Sequence, residues 1–521
     1  MRFMQRFHLH PFLIGIFPVL SLYAHNQSQL EPNAPWRSLA VVIGGTISVF
    51  AILYLWFRDW GKAGFVTSYM SLLFFLYNPA REILHNVHTS NFNLGWNRYF
   101  LPLWCLVLIW GVWVILKKIP PRDTTIQLFN FIALSTLVLP IVSIVSYSIS
   151  HPSANVIQPI VDFTQRNNAA NGNRPDIYYI VLDMYGRSDT IEKEFGFDNS
   201  SFLEELRRQG FYVAACSTSN YSHTVMSMAS ALNMNFLPAL GNEFVPGNKD
   251  HSRAATLIRN SAVRQYLHEY GYVFVSYASF FPYIDIPDSD IYIKIPERND
   301  NIQPFELLLI GQTPLKIALD KIAAKTAESE TIRLFGKNYD RTVFILEDLP
   351  QLPTKVKSPK FVYAHLFIPH PPYVFGPNGE NVGNDERLNG GPYRDPVDEA
   401  AYHEGYTNHL RYLNSVLPQI LNQIISQSET EPIIIIQGDH GFWGDADKRL
   451  PILNAYYLPE KDVSGLLYPT ITPVNSFRVI LNTYFNGEFD LLPDENYPTV
   501  NQKDYYDVQR LAQDAIECKP K

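Results

Sequence analysis

Cysteine is nearly missing from this chain of 521 residues. There are three, one of them (Cys105) in an apolar run, and Cys216 and Cys518 can either pair or stay free. So few decide little about the redox compartment. An excess of basic charge is also missing: 42 Lys and Arg face 50 Asp and Glu, a net charge of −8, with no basic stripe. Nucleic-acid binding therefore has no support. Internal repeats and low-complexity tracts are absent as well. What remains is a chain too long for one ordinary core, so two or more domains are expected.

Charge disappears locally from the first 150 residues. Segments 39–57, 99–116 and 128–149 carry none and are each long enough to span a bilayer. Segments 63–80 and 11–24 are charge-free but shorter in apolar length; 11–24 also resembles a signal-peptide core, although Leu22 disfavours cleavage before His25. The expectation is about five spanning helices over 1–150. With a cytoplasmic N-terminus, the inner segments hold Arg2, Arg6, Arg58, Lys62, Lys117, Lys118 and Arg122, and the outer loops only Arg37, Arg81 and Arg98. That asymmetry follows the positive-inside rule and puts everything after residue 150 outside the cytoplasm. Cleavage of the first segment leaves that outcome unchanged.

Residues 151–174, rich in Asn, Pro, Ser and Gln, read as a linker, and 175–521 as an extracytoplasmic globular domain. Ser201-x-x-Glu204 has the form of a capping box, opening a helix that ends at Gly210. Segments 211–215, 272–276 and 361–366 suit strands, and 402–426 has leucines at helical spacing with a kink expected at Pro418. Strands alternating with helices imply an α/β fold: a mainly parallel sheet with helices on both faces. Segment 296–341 is more charged and reads as an insertion or flank.

Two runs point to chemistry. Ile-Tyr-Tyr-Ile-Val-Leu ends in Asp183, and Ile-Ile-Ile-Ile-Gln-Gly ends in Asp439-His440-Gly441. Both read as buried strands, and in an open α/β sheet ligands gather beyond the carboxyl ends of the strands. Asp183, Asp439 and His440 can therefore meet on one cation. Thr224, in Thr224-Val-Met-Ser227, stands at the start of a helix expected to run into Met228-Ala-Ser-Ala-Leu232, where a helix N-terminus favours the charge of an alkoxide; a bare N-cap role for Ser222 or Thr224 is the plainer alternative. His365 and His370 flank a Pro-stiffened loop, His365-Leu-Phe-Ile-Pro-His370-Pro-Pro-Tyr, which otherwise reads as a structural turn. His403 and His409 do not share a helix face and read as surface or core.

Taken in order, Asp183, Thr224-x-x-Ser227, His365-x4-His370 and Asp439-His440-Gly441 resemble the alkaline phosphatase/sulfatase superfamily. The apolar N-terminal helices resemble its membrane branch, the lipoteichoic acid synthases and lipid A phosphoethanolamine transferases. The resemblance implies Thr224 as nucleophile and metal ligand, Asp183, Asp439 and His440 as metal ligands, His370 as a catalytic residue that stabilises the transferring group or protonates the leaving oxygen, and His365 at the substrate. Formylglycine sulfatases need a Cys where Thr224 stands, so that chemistry is not expected. The transferases carry a further His after the Asp-His pair; here Lys448 and Arg449 occupy that stretch and suit a clamp for substrate phosphate.

The implied enzyme is a membrane-anchored, metal-dependent hydrolase or transferase of phosphodiester or phospholipid head groups at the cell envelope. It would use one divalent cation (manganese, magnesium or zinc). Its partners would be a membrane lipid donor and an envelope glycan or lipid acceptor, with the oligomeric state open. Two alternatives stand beside it: a sulfuric or phosphoric ester hydrolase acting on an envelope glycan, and a degenerate member that binds a glycan or lipid without turnover.

Overall fold

The structure, a computed structural model, describes residues 8–27, 33–85, 88–89, 92–150, 174–248, 250–279, 281–294, 304–318, 330–383, 385–389, 396–459, 465–501, 504–512 and 515–519. The expected linker, 151–174, lies outside them except for Arg174. Two compact units emerge, 1–153 with 297–328, and 154–296 with 329–521.

The first unit is helical: α1 (His10–Asn26), α2 (Ala34–Phe57), α3 (Trp60–His85), α4 (Asn97–Lys118) and α5 (Asp123–Ser150). Among the described residues, three helices are long and apolar enough to cross a membrane: Ala34–Phe57, Asn97–Lys118 and Asp123–Ile149. By length and composition this is fewer than the five spans expected. The 17 residues of α1 reach about 25 Å at 1.5 Å per residue, short of a hydrocarbon core of about 30 Å. These three helices turn large apolar side chains outward, with Trp56 82% and Leu139 78% exposed. Helix Pro304–Gly311, from the segment read as an insertion, packs on α1 and α2, and its Glu306 pairs with Arg37 at 2.9 Å.

The second unit is built on a seven-stranded sheet. Its strands are β1 (Ile177–Leu182), β2 (Tyr212–Val213), β3 (Val273–Tyr277), β4 (Ile291–Ile293), β5 (Lys360–Leu366), β6 (Ile433–Gly438) and β7 (Asn454–Tyr457), in the order β2-β7-β6-β1-β5-β3-β4. The five strands from β6 to β4 run parallel, and β7 and β2 add an antiparallel edge. The α/β class and mainly parallel sheet are as expected. Side chains alternate between faces along a strand. Accordingly, Ile177, Tyr179, Val181, Ile433 and Ile435 join one core, and Tyr178, Ile180, Leu182, Ile434 and Ile436 the other. Both faces are covered, so β1 and the Ile433–Ile436 stretch of β6 read as unbroken runs rather than alternating ones.

The helices that matter for the site are α6 (Ser188–Phe195), α7 (Ser200–Arg208), α8 (Thr224–Asn233), α9 (Glu399–Gln427), α10 (Ala446–Arg449) and α11 (Pro473–Phe485). The expected capping box is displaced. Helix α7 begins at Ser200, and no side chain caps it from Asn199, although Asp198 Oδ1 accepts the Ser200 N–H. Gly210 follows its end with φ at +93°, a backbone conformation that glycine adopts without strain. Helix α9 is capped by Asp398, which accepts the Ala401 N–H at 2.8 Å, and runs through Pro418. Cys216 and Cys518 are joined, with their Cα atoms 5.6 Å apart.

Candidate active site

Register explains the convergence at the sheet's carboxyl edge. Leu182 of β1 pairs with Leu366 of β5 on one side and Gly438 of β6 on the other. Asp183 and Asp439 are thus the next residues on neighbouring parallel strands, which lie about 4.8 Å apart. His365 is in register with Val181 and so shares the face of Asp183, two residues further on. One ligand atom from each of Asp183, His365 and Asp439 lies within 4.8 Å of the others, and all three residues are buried. Small residues make room for this turn. A Cβ on Gly438 would run into the Tyr185 carbonyl, and one on Gly441 into the Lys448 carbonyl.

Each side chain is oriented by its neighbours. Asp439 Oδ1 accepts the backbone N–H groups of Met184 and His440, at 3.0 and 2.9 Å. Asp439 Oδ2 and Asp183 Oδ1 are buried and have no hydrogen-bond partner among the described residues. His440 Nδ1 lies 2.7 Å from the Gly441 carbonyl, which can only accept, so Nδ1 carries the proton and Nε2 keeps its lone pair. That Nε2 lies 3.2 Å from Thr224 Oγ1, 3.6 Å from Asp439 Oδ2 and 3.9 Å from Asp183 Oδ1. His365 Nε2 sits 3.4 Å from Asp183 Oδ2.

Two orphaned carboxylate oxygens, a bare imidazole nitrogen and a hydroxyl around one small space are the donor set a divalent cation takes. The residues present therefore fit a metal ion. Burial alone would raise the Asp183 pKa, but the neighbouring His370, His365 and His440 outweigh it and hold the carboxyl below its ordinary value. Burial lowers the His440 pKa, aided by the charge of Arg449 and opposed by Asp439 and Asp183, which favours the neutral, ligating form.

Thr224 is the first residue of α8, with His223 as N-cap. The other hydroxyls nearby are committed elsewhere. Ser227 Oγ donates to the Asp439 carbonyl at 2.6 Å, and Ser222 Oγ donates to Thr499 Oγ1 at 3.1 Å. His370 is tied to β1 by its N–H, which donates to the Asp183 carbonyl at 3.1 Å; its ring stacks on Phe367 at 4.3 Å between centroids.

Lys448 and Arg449 separate. Arg449 is buried, donates from Nε and Nη2 to the Ser222 carbonyl at 2.9 and 2.7 Å, and lies close enough to Asp439 and Asp183 for their charges to interact. Lys448 does not join it at the site: its Nζ pairs with Glu194 of α6. Consecutive residues of a helix point about 100° apart, so α10 sends the two cations to different neighbours. His365, expected at the substrate, stands within the carboxylate cluster.

His409, read from the sequence as surface or core, is core. It is fully buried, its Nε2 accepts the N–H groups of Val374 and Phe375 at 2.9 and 3.2 Å, and its Nδ1 lies 3.3 Å from the Pro369 carbonyl. It thereby clamps both flanks of the His370 loop. Six-residue spacing from His403 gave no hint of this, because the partners come from another segment.

No family model matches the chain, and no curated protein matches it. Several solved structures are similar to it. The integral membrane lipooligosaccharide phosphoethanolamine transferase A from Neisseria meningitidis is 12% identical, with 92% of this chain and 96% of that one covered at a TM-score of 0.42. The C-terminal periplasmic domain of EptC from Escherichia coli, in complex with zinc, is 11% identical, with 67% and 95% covered at 0.42. The phosphonate monoester hydrolase of Agrobacterium radiobacter is 13% identical, with 62% and 80% covered at 0.37. At such identities and scores the likeness assigns neither activity nor ligand.

Proposed function

We propose that the chain is a membrane-anchored, metal-dependent phosphotransferase or hydrolase that attacks phosphodiester or phospholipid head groups through Thr224. One observation carries this reading: the Thr224 hydroxyl lies 3.2 Å from His440 Nε2, beside two buried carboxylate oxygens without partners. Asp183, Asp439, His440 and Thr224 are the residues that would hold one divalent cation, manganese, magnesium or zinc. The chemistry such an ion supplies is to favour the threonine alkoxide and to offset phosphoryl charge.

The protein's own groups then divide the work. Thr224 gives up its hydroxyl proton to water, and its Oγ forms a bond to phosphorus as the bond to the leaving oxygen breaks, giving a phosphothreonine ester that keeps the other substituent of a diester. N–H groups of the first turn of α8 face that charge, since the first turn of a helix leaves them without intrahelical partners. Arg449 binds the non-bridging oxygens. His370 protonates the leaving oxygen, and Ser227 holds α8 against the Asp439 turn. An acceptor hydroxyl or water then takes the phosphoryl group and frees Thr224. A lipid donor and an envelope glycan or lipid acceptor suit a chain with three apolar helices. Disulfides form in oxidising compartments, so the Cys216–Cys518 bridge supports an extracytoplasmic second unit.

The test uses the full chain in detergent with phosphatidylglycerol or phosphatidylethanolamine as donor. Wild type should show an intact-mass adduct mapping to Thr224. Thr224→Ala should lose essentially all turnover while keeping its fold. An adduct on Ser222, or near-normal turnover by Thr224→Ala, refutes the assignment. For the topology, a C-terminal alkaline phosphatase fusion should be active, and a cytoplasm-only fluorescent fusion dark; the reverse refutes it.

A further inference from the structure

The residues after α11 hold no motif, yet they grip the loop that leads into Thr224. Tyr497 N–H donates to the Asn220 carbonyl and Asn220 Nδ2 to the Glu495 carbonyl, both at 2.8 Å. Asn496 Nδ2 donates to the Ser219 carbonyl at 2.7 Å and to Thr218 Oγ1 at 2.9 Å. Thr499 N–H donates to Ser222 Oγ at 3.0 Å. The antiparallel pair Thr499–Asn501 and Asp504–Val508 is thereby held in register with the nucleophile loop and carries Tyr505 with it.

The Tyr505 ring is fixed in plane. It stacks on His223, the residue before Thr224, with centroids 4.1 Å apart and planes at 21°. It also stacks on His251 at 5.2 Å and 26°. The residue is nevertheless 38% exposed, and its hydroxyl has no hydrogen-bond partner among the described residues. Stacking needs only the ring, which phenylalanine would supply equally. A rigidly held, partly exposed phenol against the residue preceding the nucleophile is suited to meeting a ligand oxygen.

We propose that Tyr505 is a substrate-binding residue whose phenolic O–H donates to an oxygen of the phosphate ester held at Thr224. The proposal rests on the phosphoryl-transfer reading. A hydrogen bond made equally in the ground state and the transition state acts on affinity and on which ester is accepted, and leaves the reacting atoms to Thr224 and its neighbours.

Tyr505→Phe in the full-length, metal-supplemented protein removes the hydroxyl and keeps the stack. With bis(p-nitrophenyl) phosphate, KM should rise about 10-fold, the loss of one hydrogen bond to a charged group, with kcat within about twofold of wild type. Affinity for inorganic phosphate, read by calorimetry, should fall by a similar factor. Unchanged KM and phosphate affinity, or a fall in kcat at constant KM, overturns the proposal. If wild type binds phosphate but turns nothing over, and Tyr505→Phe still weakens binding, the phosphoryl-transfer reading fails and the binding role stands. If wild type binds no phosphate, both fall.

Discussion

Replacing Asp439 by asparagine offers a test of the metal site that needs no substrate. The ligand atoms of Asp183 and Asp439 lie within 4.8 Å of each other, both residues are buried, and one oxygen on each lacks a partner. Two unit charges at that separation repel by about 3.5 kcal/mol at an effective dielectric of about 20. His370 and His365, which hold the Asp183 carboxyl down, take up part of this, so about 1–3 kcal/mol of repulsion remains in the metal-free protein. Asp439→Asn keeps the Oδ1 that accepts the Met184 and His440 N–H groups and places an amide donor where the orphaned oxygen stood. In chelator, then, the variant should melt above wild type, by about 2 °C per kcal/mol for a unit of this size. Adding manganese, magnesium or zinc at 100–1,000 times its dissociation constant should stabilise wild type by about 3–4 kcal/mol and the variant by little. Differential scanning calorimetry of the full-length protein, with and without chelator, reads both effects. A variant that melts below wild type in chelator and still gains the full metal increment would refute a shared cation between these carboxylates.

Two further outcomes concern the frame that carries the site. Lys360 is fully buried at the start of β5, and its Nζ pairs with Asp176 and donates to the Val356 carbonyl at 3.0 Å. Lys360→Met should cost about 3–5 kcal/mol in chemical denaturation by leaving Asp176 buried and unpaired, with Lys360→Met/Asp176→Asn recovering most of it; equal loss in both variants refutes the pairing argument. His409 is held neutral, its pKa pushed down to about 3 by burial, against 6.5 for the free group. A depressed histidine contributes stability that is full above 6.5 and is lost as pH falls from there toward 3. Between pH 7.5 and 5 wild type should therefore lose about 2 kcal/mol more than His409→Gln, measured by urea unfolding, and equal losses would sink the assignment.

Local residue order was enough to place Asp183, Asp439 and His440 at strand ends. An apolar run of strand length followed by a ligand side chain says so wherever it sits, and burial on both faces leaves no polar residue to interrupt Ile177–Leu182 or the isoleucines of β6. Helix α9 was legible from its leucine spacing, which acts within a turn or two, whereas its Asp398 cap and the His223 N-cap of α8 were not. Other features depend on partners distant in the chain, and only the tertiary structure decided them. The pairing of β1 with both β5 and β6 puts His365 among the carboxylates, and α6 draws Lys448 to Glu194 and away from Arg449. The C-terminal hairpin joins the nucleophile loop, Cys518 meets Cys216 across 302 residues, and His409 holds the His370 loop. A strand's own residues determine that it is a strand, whereas its neighbours, and so the side chains it meets, are chosen by packing over the whole sheet.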